Sequence, residues 1–278
     1  MTKEKAIIGQ SGGPTAVINK SLVGFIKASS EKFEEVIGAR HGLRGMLEKD
    51  FVDLSNLSES EIFGISRTPA AALGSVRKKP TEEDIVKLIN IFKEEEIRNF
   101  FYIGGNDSAE TANLILEGAK NIGFDMRIFH IPKTIDNDLL ETDHCPGYGS
   151  AARFVAHAFQ GDDADNRSMK GVKINILMGR HAGWIALHSG MAGGADIILI
   201  PEKPFDIQEV CDTLKKRHAR GKSFSIVCIS EGAKLKTEEE SDKDGSFVLS
   251  SLKKDSFGHV MLGGIGNVVA EAIEKGTG

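Results

Sequence analysis

The sequence predicts an α/β protein with two doubly wound, Rossmann-like domains whose sheets are mostly parallel. Short apolar runs of strand length alternate with segments of helical periodicity along the chain, which is the pattern of a parallel sheet covered by helices. Glycine-rich turns follow several of these runs, for example at 9–14 and 104–108. A second series of such units begins near residue 140. We therefore predict one domain over 1–139 and another over 140–278.

In the first half of the chain, the apolar runs predict strands that are short and buried, at 5–9, 35–39, 99–103 and 126–131. Apolar residues at helical spacing follow the first glycine-rich turn and again the turn at 104–108. Thr81-Glu-Glu-Asp84 is typical of a capping box and predicts a helix that begins there. The glycines of 42–45 predict a flexible turn.

In the second half, the same patterns predict three strands, at 172–177, 195–200 and 224–229. Helices are expected after the stretch 145–153, over 207–217 and over 263–275. The polar run 162–167 is interpreted as a turn. The stretch 234–256, rich in acidic residues, is the most loop-like part of the chain.

The composition describes a chain that can bury a core and carries a mild negative charge. Hydrophobic residues make up 40% of the 278 residues, and the net charge is −5. This balance argues against nucleic-acid and membrane-surface binding. The three cysteines, Cys145, Cys211 and Cys228, form no CxxC pair, which favours a reducing cytoplasm. Neither a signal peptide nor a membrane-spanning run of about 18 apolar residues is visible.

Three loops follow predicted strands and carry residues suited to phosphate chemistry. The turn 9–14 leads from a strand into a helix, an arrangement that points backbone N–H groups at an anion. The turn 104–108 carries Asp107, and an acid in a phosphate-facing loop implies a metal or the exclusion of negative charge. In 130–138, a lysine, a threonine and two aspartates suit the deprotonation of a hydroxyl that attacks phosphorus. The alternatives are a tight connection in the sheet and a polar loop whose aspartates cap turns.

A cationic cluster formed by Arg77, Lys78 and Lys79 follows a stretch of small residues. In an acidic protein such a cluster could clamp a phosphate. The alternative is a solvated run of charges. Because ligands of a doubly wound sheet bind beyond the carboxyl ends of its strands, the three loops above are expected to converge on one site.

Seven motifs occur in the order found in one enzyme family and span nearly the whole chain. They are SGGPTAVIN at 11–19, LGSVR at 73–77, GGND at 104–107, PKTIDND at 132–138, MGRHAGW at 178–184, SEG at 230–232 and FGHVMLGGIG at 257–266. On these motifs the sequence resembles the phosphofructokinases. The resemblance implies a glycolytic, Mg²⁺-dependent transfer of a phosphoryl group to the 1-hydroxyl of fructose 6-phosphate. It also implies an active site in the cleft between the two domains and a homodimer or homotetramer.

The resemblance assigns roles to the residues that match these motifs. The general base would be Asp136, and Arg77 would stabilise the moving phosphoryl group, with Lys133 as a further catalytic cation. The sugar phosphate would be bound by a second set, namely Thr134, Asp138, Met178, Gly179, Arg180 and Glu231. The phosphoryl donor would be bound by a third set, namely Gly12, Gly13, Gly105, Asp107 and Ser108.

Two positions bear on the identity of the donor. Relatives that use ATP carry glycine where this chain has Asp107 and Lys133, whereas relatives that use pyrophosphate resemble this chain at both. A carboxylate at 107 would repel the α-phosphate of a nucleotide, and Lys133 would neutralise pyrophosphate. The resemblance therefore implies a reversible, pyrophosphate-dependent enzyme. The alternatives are an ATP-dependent enzyme, a non-catalytic family member and, with less support from the motifs, a lipid or NAD kinase.

Two departures from the family pattern affect these expectations. Asn106 stands where the family often has a metal-binding aspartate, so Asp107 is the expected Mg²⁺ ligand and Asn106 a possible one. Relatives continue beyond the equivalent of Gly278 into further sugar-phosphate ligands. The resemblance therefore implies a truncated second domain with weakened substrate binding and exposed apolar surface.

Overall fold

A computed structural model describes residues 4–236, 246–247, 249–254, 260–262 and 264–278. The chain divides into two compact units, the first formed by Met1–Thr134 with Cys145–Gly147 and the second by Ile135–His144 with Tyr148–Gly278. The predicted boundary at residue 139 and the predicted cleft stay predictions. None of the helices in the described ranges is both long enough and apolar enough to cross a membrane.

The first unit is built on a five-stranded sheet. Its strands are β1 (Lys5–Gln10), β2 (Glu35–Ala39), β3 (Phe51–Asp53), β4 (Ile97–Gly104) and β5 (Arg127–Pro132), in the order β3-β2-β1-β4-β5. All neighbours pair in parallel except β3, which is antiparallel to β2. The strands alternate with helices, which places the carboxyl ends of β1, β4 and β5 side by side.

Helices cover both faces of this sheet. They are α1 (Ile18–Ser29), α2 (Leu43–Glu48), α3 (Glu59–Arg67), α4 (Glu82–Glu94) and α5 (Asn106–Asn121). Apolar residues of α1 and α3 share one core with Ile8 and Ile103, whereas those of α2, α4 and α5 share another with Phe100 and Tyr102. The predicted capping box is confirmed at the start of α4, where Thr81 and Asp84 bond reciprocally.

The second unit contains a smaller parallel sheet, in the order β6-β8-β7. Its elements are α6 (Tyr148–Met169), β6 (Val172–Leu177), α7 (Trp184–Gly193), β7 (Ile197–Leu199), α8 (Ile207–Ala219), β8 (Ser225–Ser230), β9 (Lys234–Leu235), β10 (Ser246–Phe247), β11 (Leu249–Lys254), β12 (Val260–Leu262) and α9 (Ile265–Thr277). Helices α6 and α7 pack together, as do α8 and α9, and their apolar residues contribute to two separate cores. The predicted α/β class with mostly parallel sheets is confirmed.

Two predicted turns are wrong, because buried residues at helical spacing outweigh local glycines and charges. The stretch 42–45 runs into α2, whose Leu43, Met46 and Leu47 are buried on one side. The polar run 162–167 lies inside α6, where Phe159 and Asn166 are buried seven residues apart. The charges of that run lie on the remaining surface of the helix and form ion pairs, so their polarity marks an exposed face.

The prediction of a loop over 234–256 is also wrong in part. Strands β9, β10 and β11 occupy portions of it, with β9 paired to β10 and β11 paired to β12. The acidic residues of 238–244 lie outside the described residues, as do positions 257–259 and 263 of the last family motif.

Candidate functional site

The first group of candidate residues lies where three adjacent strands of the first unit end. In the sheet, Gln10 lies opposite Ile103 and Gly104 opposite Pro132. Just beyond the strands, the N–H of Ser11 donates to the carbonyl of Ile103 at 2.9 Å, and the N–H of Lys133 donates to the carbonyl of Gly104 at 2.9 Å. The loops that begin at 11, 105 and 133 therefore meet at one edge, as the sequence predicted.

Lys133 lies buried beneath the glycine turn that follows β1. Only 3% of the residue is exposed, and its Nζ donates to the carbonyl oxygen of Gly13 at 2.8 Å. Gly12 has a φ of +75°, and a Cβ built there would lie 3.2 Å from Nζ of Lys133. A side chain at Gly12 would be strained and would crowd the ammonium group. The turn thus combines an open backbone with a buried cation, which together suit an anionic ligand.

The second loop, at the start of α5, presents Asp107 in the first helical turn. Gly105 is the N-cap residue and supplies no capping side chain. Asp107 is half-buried and Asn106 is exposed. An acid in this position is favoured by the helix dipole, and it also adds negative charge where a phosphate would otherwise meet bare N–H groups.

Hydroxyl groups join the first two loops beneath this surface. The Oγ of Ser108 donates to the Oγ of Ser11 at 2.9 Å, and both residues are buried. The buried Tyr102 hydroxyl bonds to the Ser11 side chain, and burial raises the pKa of Tyr102. The hydroxyl of Ser108 thus ties the loops together, and its predicted contact with the donor stays a prediction.

His130, on β5, contacts the end of β4 from which the second loop begins. The Nε2 of His130 lies 2.9 Å from the carbonyl oxygen of Gly104, the oxygen that also accepts from the N–H of Lys133. Because burial disfavours the imidazolium, the pKa of His130 lies below its ordinary value.

In the cationic cluster at 77–79, the two lysines form ion pairs with carboxylates, whereas the arginine lies beside the glycine turn. Lys78 pairs with Asp84 at 2.9 Å and Lys79 with Glu110 at 2.9 Å. Arg77 is exposed and, within the part of the chain that the structure describes, forms no ion pair. Its Nη2 lies 3.5 Å from the position of a Cβ on Gly13. Of the three cations in this cluster, Arg77 is thus the one beside the glycine turn.

Thr134 is fixed at the end of the first unit by the segment 145–147. Its N–H donates to the carbonyl of Pro146 at 3.1 Å, and it forms a β-bridge with Gly147. Gly147 has a φ of +112°, and a Cβ there would lie 2.9 Å from Cγ2 of Thr15. The segment that leads to the predicted base is thus closely packed at its start.

The aspartates of the same motif belong to the second unit. Asp136 and Asp138 are both half-buried. Between them, Asn137 adopts a φ of +58° and donates from Nδ2 to the carbonyl of Asp143 at 3.2 Å. This bond joins the motif to the segment that follows it and stabilises the turn between the two aspartates.

Four of the predicted sugar-phosphate ligands lie on two loops that follow β6 and β8, namely Met178, Gly179, Arg180 and Glu231. Gly179 has a φ of +138°, and its carbonyl accepts from the Ser230 hydroxyl at 2.5 Å and from the N–H of Gly232 at 3.1 Å. These bonds hold the segment 178–180 against the segment 230–232, and so bring Arg180 and Glu231 onto neighbouring loops. Met178 is 51% exposed.

Few side chains in the described part of the site could serve as ligands of a metal ion. Among the described residues, no three His, Cys, Asp or Glu side chains are grouped so as to hold a metal. Asp107 offers one carboxylate, and Mg²⁺ takes only one or two such ligands from protein when substrate phosphates and waters supply the rest. The residues present therefore fit a phosphate-bound Mg²⁺.

Sequence reasoning missed a buried polar pair that supports the glycine turn. Gln10 and Asn19 are 0% and 1% exposed, and Nε2 of Gln10 donates to Oδ1 of Asn19 at 3.0 Å. The signal was present, since Asn19 lies between Ile18 and Leu22 on the buried side of α1. A buried amide requires partners, but the pattern does not name them.

Comparisons with known proteins agree on one family. The family model described as phosphofructokinase matches residues 5–278. The chain is 39% identical to the pyrophosphate–fructose 6-phosphate 1-phosphotransferase of Rhodospirillum rubrum, with all of this chain and 70% of that protein aligned. It is 36% identical to the protein of the same name from Methylococcus capsulatus, of which 68% is covered.

Solved structures give the same result. A pyrophosphate-dependent phosphofructokinase from Nitrosospira multiformis matches with a TM-score of 0.81 and 34% identity, over 98% of this chain and 66% of that one. A phosphofructokinase from Saccharomyces cerevisiae shares the fold, with a TM-score of 0.79 at 20% identity. The chain thus spans about two thirds of the length of several of the relatives that it matches, and it belongs to the phosphofructokinase family.

Proposed function

We propose that this protein transfers a phosphoryl group from pyrophosphate to the 1-hydroxyl of fructose 6-phosphate, giving fructose 1,6-bisphosphate and phosphate in a reversible, glycolytic reaction. The observation that carries the choice of donor is a pair of opposite charges, the buried Lys133 at the glycine turn and Asp107 in the first turn of α5. The names of the relatives from Rhodospirillum rubrum and Methylococcus capsulatus support the same donor and acceptor.

The donor assignment rests on opposite charges at two positions. Lys133 brings a positive charge to Gly12 and Gly13, where the two phosphates of pyrophosphate would be held. Asp107, in the first turn of α5, places a negative charge where a longer chain of phosphates would continue. Attraction for a short anion and repulsion of a longer one together select pyrophosphate over a nucleotide.

The acceptor assignment rests on the residues that carry the family motifs. Asp136 removes the proton of the sugar 1-hydroxyl as that oxygen attacks the phosphorus, while Thr134 and Asp138 hold the surrounding groups. Arg180, with Met178 and Gly179, binds the sugar phosphate, and Glu231 accepts hydrogen bonds from sugar hydroxyls. Phosphoryl transfer depends on such positioning and on charge neutralisation more than on covalent chemistry.

Arg77 neutralises the charge that develops on the phosphoryl group in flight. It is the member of the cationic cluster that lies at the glycine turn, whereas Lys78 and Lys79 are paired with carboxylates. Asp107, assisted by Asn106, would hold a Mg²⁺ ion. When bound, the ion neutralises phosphate oxygens.

Initial rates with fructose 6-phosphate and Mg²⁺ test the proposal. Pyrophosphate is compared with ATP for the wild type and for the double variant Asp107→Gly/Lys133→Gly. The wild type should turn over with pyrophosphate, and the double variant should lose most of that activity. The matched control is Asp125→Gly/Lys120→Gly, which also removes one acid and one lysine. Both residues are exposed and lie between the last turn of α5 and the start of β5. This control should behave as the wild type does.

A binding measurement separates donor recognition from turnover. Bound ligand raises thermal stability according to its affinity, so Mg²⁺ with pyrophosphate should raise the melting temperature more than Mg²⁺ with ATP at equal concentration. Turnover with ATP alone would establish an ATP-dependent enzyme. If the protein turned over neither donor and neither donor raised its melting temperature, the result would support a non-catalytic family member.

The remaining expectations belong to the same proposal. The family resemblance favours a homodimer or homotetramer, which sedimentation would test. All three cysteines are free and buried, which supports a cytoplasmic location.

A further inference from the structure

The buried amides of Gln10 and Asn19 bind a segment that lies far away in the sequence. Oε1 of Gln10 accepts from the N–H of Leu73 at 2.9 Å, and Oδ1 of Asn19 accepts from the N–H of Ala72 at 2.8 Å. Nδ2 of Asn19 donates to the carbonyl of Thr68 at 2.8 Å. Three bonds from one buried pair thus hold the backbone of 68–73, which forms neither helix nor strand.

The same segment continues directly to the arginine of the proposed site. Beyond Leu73, the Ser75 hydroxyl donates to the carbonyl of Gly12 at 2.6 Å, and the N–H of Gly12 donates to the carbonyl of Val76 at 3.1 Å. The next residue is Arg77. A series of bonds therefore runs from the amide pair, through the glycine turn, to the residue immediately before the arginine.

We propose that Gln10 and Asn19 are positioning residues, which fix the segment 68–76 so that Arg77 is held at the glycine turn. This inference rests on the proposed function for the role of Arg77. An arginine side chain is long and flexible, and holding it in place restricts its conformations only if the backbone beneath it is fixed. Because the segment lacks secondary structure, some of its backbone N–H and C=O groups are bonded by side chains, here by these two amides.

The amide chemistry of the pair is specific. Gln10 must offer an oxygen to Leu73 and an N–H to Asn19, and Asn19 must offer an oxygen to Gln10 and Ala72 and an N–H to Thr68. An apolar side chain of similar size fills the same volume but leaves these buried groups without partners. An aspartate at position 19 retains the acceptor and loses the donor.

The variant Asn19→Leu tests the inference, with Asn99→Leu as its control. Asn99 is also a buried asparagine of this unit, 3% exposed, and donates to the carbonyl of Lys5 at 3.1 Å and to Glu4 at 3.0 Å. It lies near the start of β4, whereas the loops of the proposed site meet at the end of that strand. Both variants lose a buried amide, but only the amide of Asn19 bonds to the segment 68–76. Where the leucine variants fail to fold, Asn19→Asp and Asn99→Asp replace them.

The first measurement is hydrogen–deuterium exchange of the peptide 68–77, which does not depend on activity. Asn19→Leu should accelerate its exchange, and Asn99→Leu should leave it unchanged. The second measurement is a double-mutant cycle on kcat with pyrophosphate. Asn19→Leu should lower kcat about 10-fold in the wild type and less than about twofold in an Arg77→Ala background, because residues that act as a unit are not additive. Asn99→Leu should have the same small effect in both backgrounds.

Equal losses of kcat from Asn19→Leu in both backgrounds would overturn the positioning role, as would unchanged exchange over 68–77. Absence of pyrophosphate turnover in the wild type would refute the proposed function and with it the catalytic part of this inference. The exchange result would then still decide whether the amide pair holds the segment.

Discussion

Replacing Gly104 with alanine should disrupt the junction of β4 and α5 by a direct steric conflict. A Cβ at this position would lie 2.0 Å from Oγ and 2.4 Å from Cβ of Ser108, and 3.4 Å from Cβ of Ser11. Rotating the Ser108 side chain would relieve the first contact but not the second. The backbone of the first turn of α5 would therefore have to move.

The expected cost of Gly104→Ala is the sum of two effects. Overpacking of a close-packed site costs about 1–3 kcal/mol, and the displaced Ser108 also gives up its bond to Ser11, worth about 1 kcal/mol. We expect a loss of about 2–4 kcal/mol in the free energy of unfolding. Ser108→Gly alone should cost about 2 kcal/mol, through the lost hydroxyl bond and the glycine in a helix.

The double variant Gly104→Ala/Ser108→Gly removes both conflicting atoms and should cost little more than Ser108→Gly. The assay is urea-induced unfolding followed by circular dichroism, with the fluorescence of Trp184, the one tryptophan of the chain, reporting on the second unit. The control Gly105→Ala places a Cβ 3.6 Å from its nearest neighbour and should cost about 1 kcal/mol or less. Additive losses in the double variant would refute the steric argument.

Two further predictions concern charges outside the proposed site. Asp196→Ala should cost about 2–3 kcal/mol in the second unit, measured by the fluorescence of Trp184, because it removes a partly buried ion pair of 2.7 Å with Arg217 and an acceptor for a strand N–H. For His130, burial lowers the pKa below the ordinary 6.5, so the unfolded chain binds the proton more readily than the fold does. The free energy of unfolding should therefore fall as the pH drops below about 6.5, and it should fall less in His130→Asn. An equal dependence on pH in both proteins would contradict this.

Many of the strands and helices could be predicted because each follows a local pattern, although β3, α2 and α3 were not. An apolar run followed by glycine and an amphipathic segment identifies β1, β4 and α5 without knowledge of their neighbours. The two wrong turns show the limit of such patterns. The glycines near α2 and the charges of α6 carry a local signal, but burial against other elements decides their structure.

The motifs name candidate site residues, but they do not predict the bonds that hold those residues in place. Motifs locate Lys133 and Arg77, yet nothing local indicates that the lysine reaches Gly13, 120 residues earlier. The amide pair was missed for the same reason, since its partners lie 49 to 63 residues away. Long-range hydrogen bonds depend on the completed fold, and a single sequence carries no signal for the partner.

The buried lysine has a further consequence for how the proposed site would discriminate between donors. Lys133 alone would attract any phosphate, because its charge is held in a desolvated position where Coulomb attraction is weakly screened. Selection therefore requires a second group that acts differently on a two-phosphate and a three-phosphate anion, and Asp107 supplies the opposite charge at the start of α5. Removing Asp107 alone should raise the rate with ATP relative to the rate with pyrophosphate, even where loss of the proposed Mg²⁺ ligand lowers both rates, whereas removing Lys133 alone should weaken the binding of every donor. A site that relied on attraction alone would show no such difference between the two single variants.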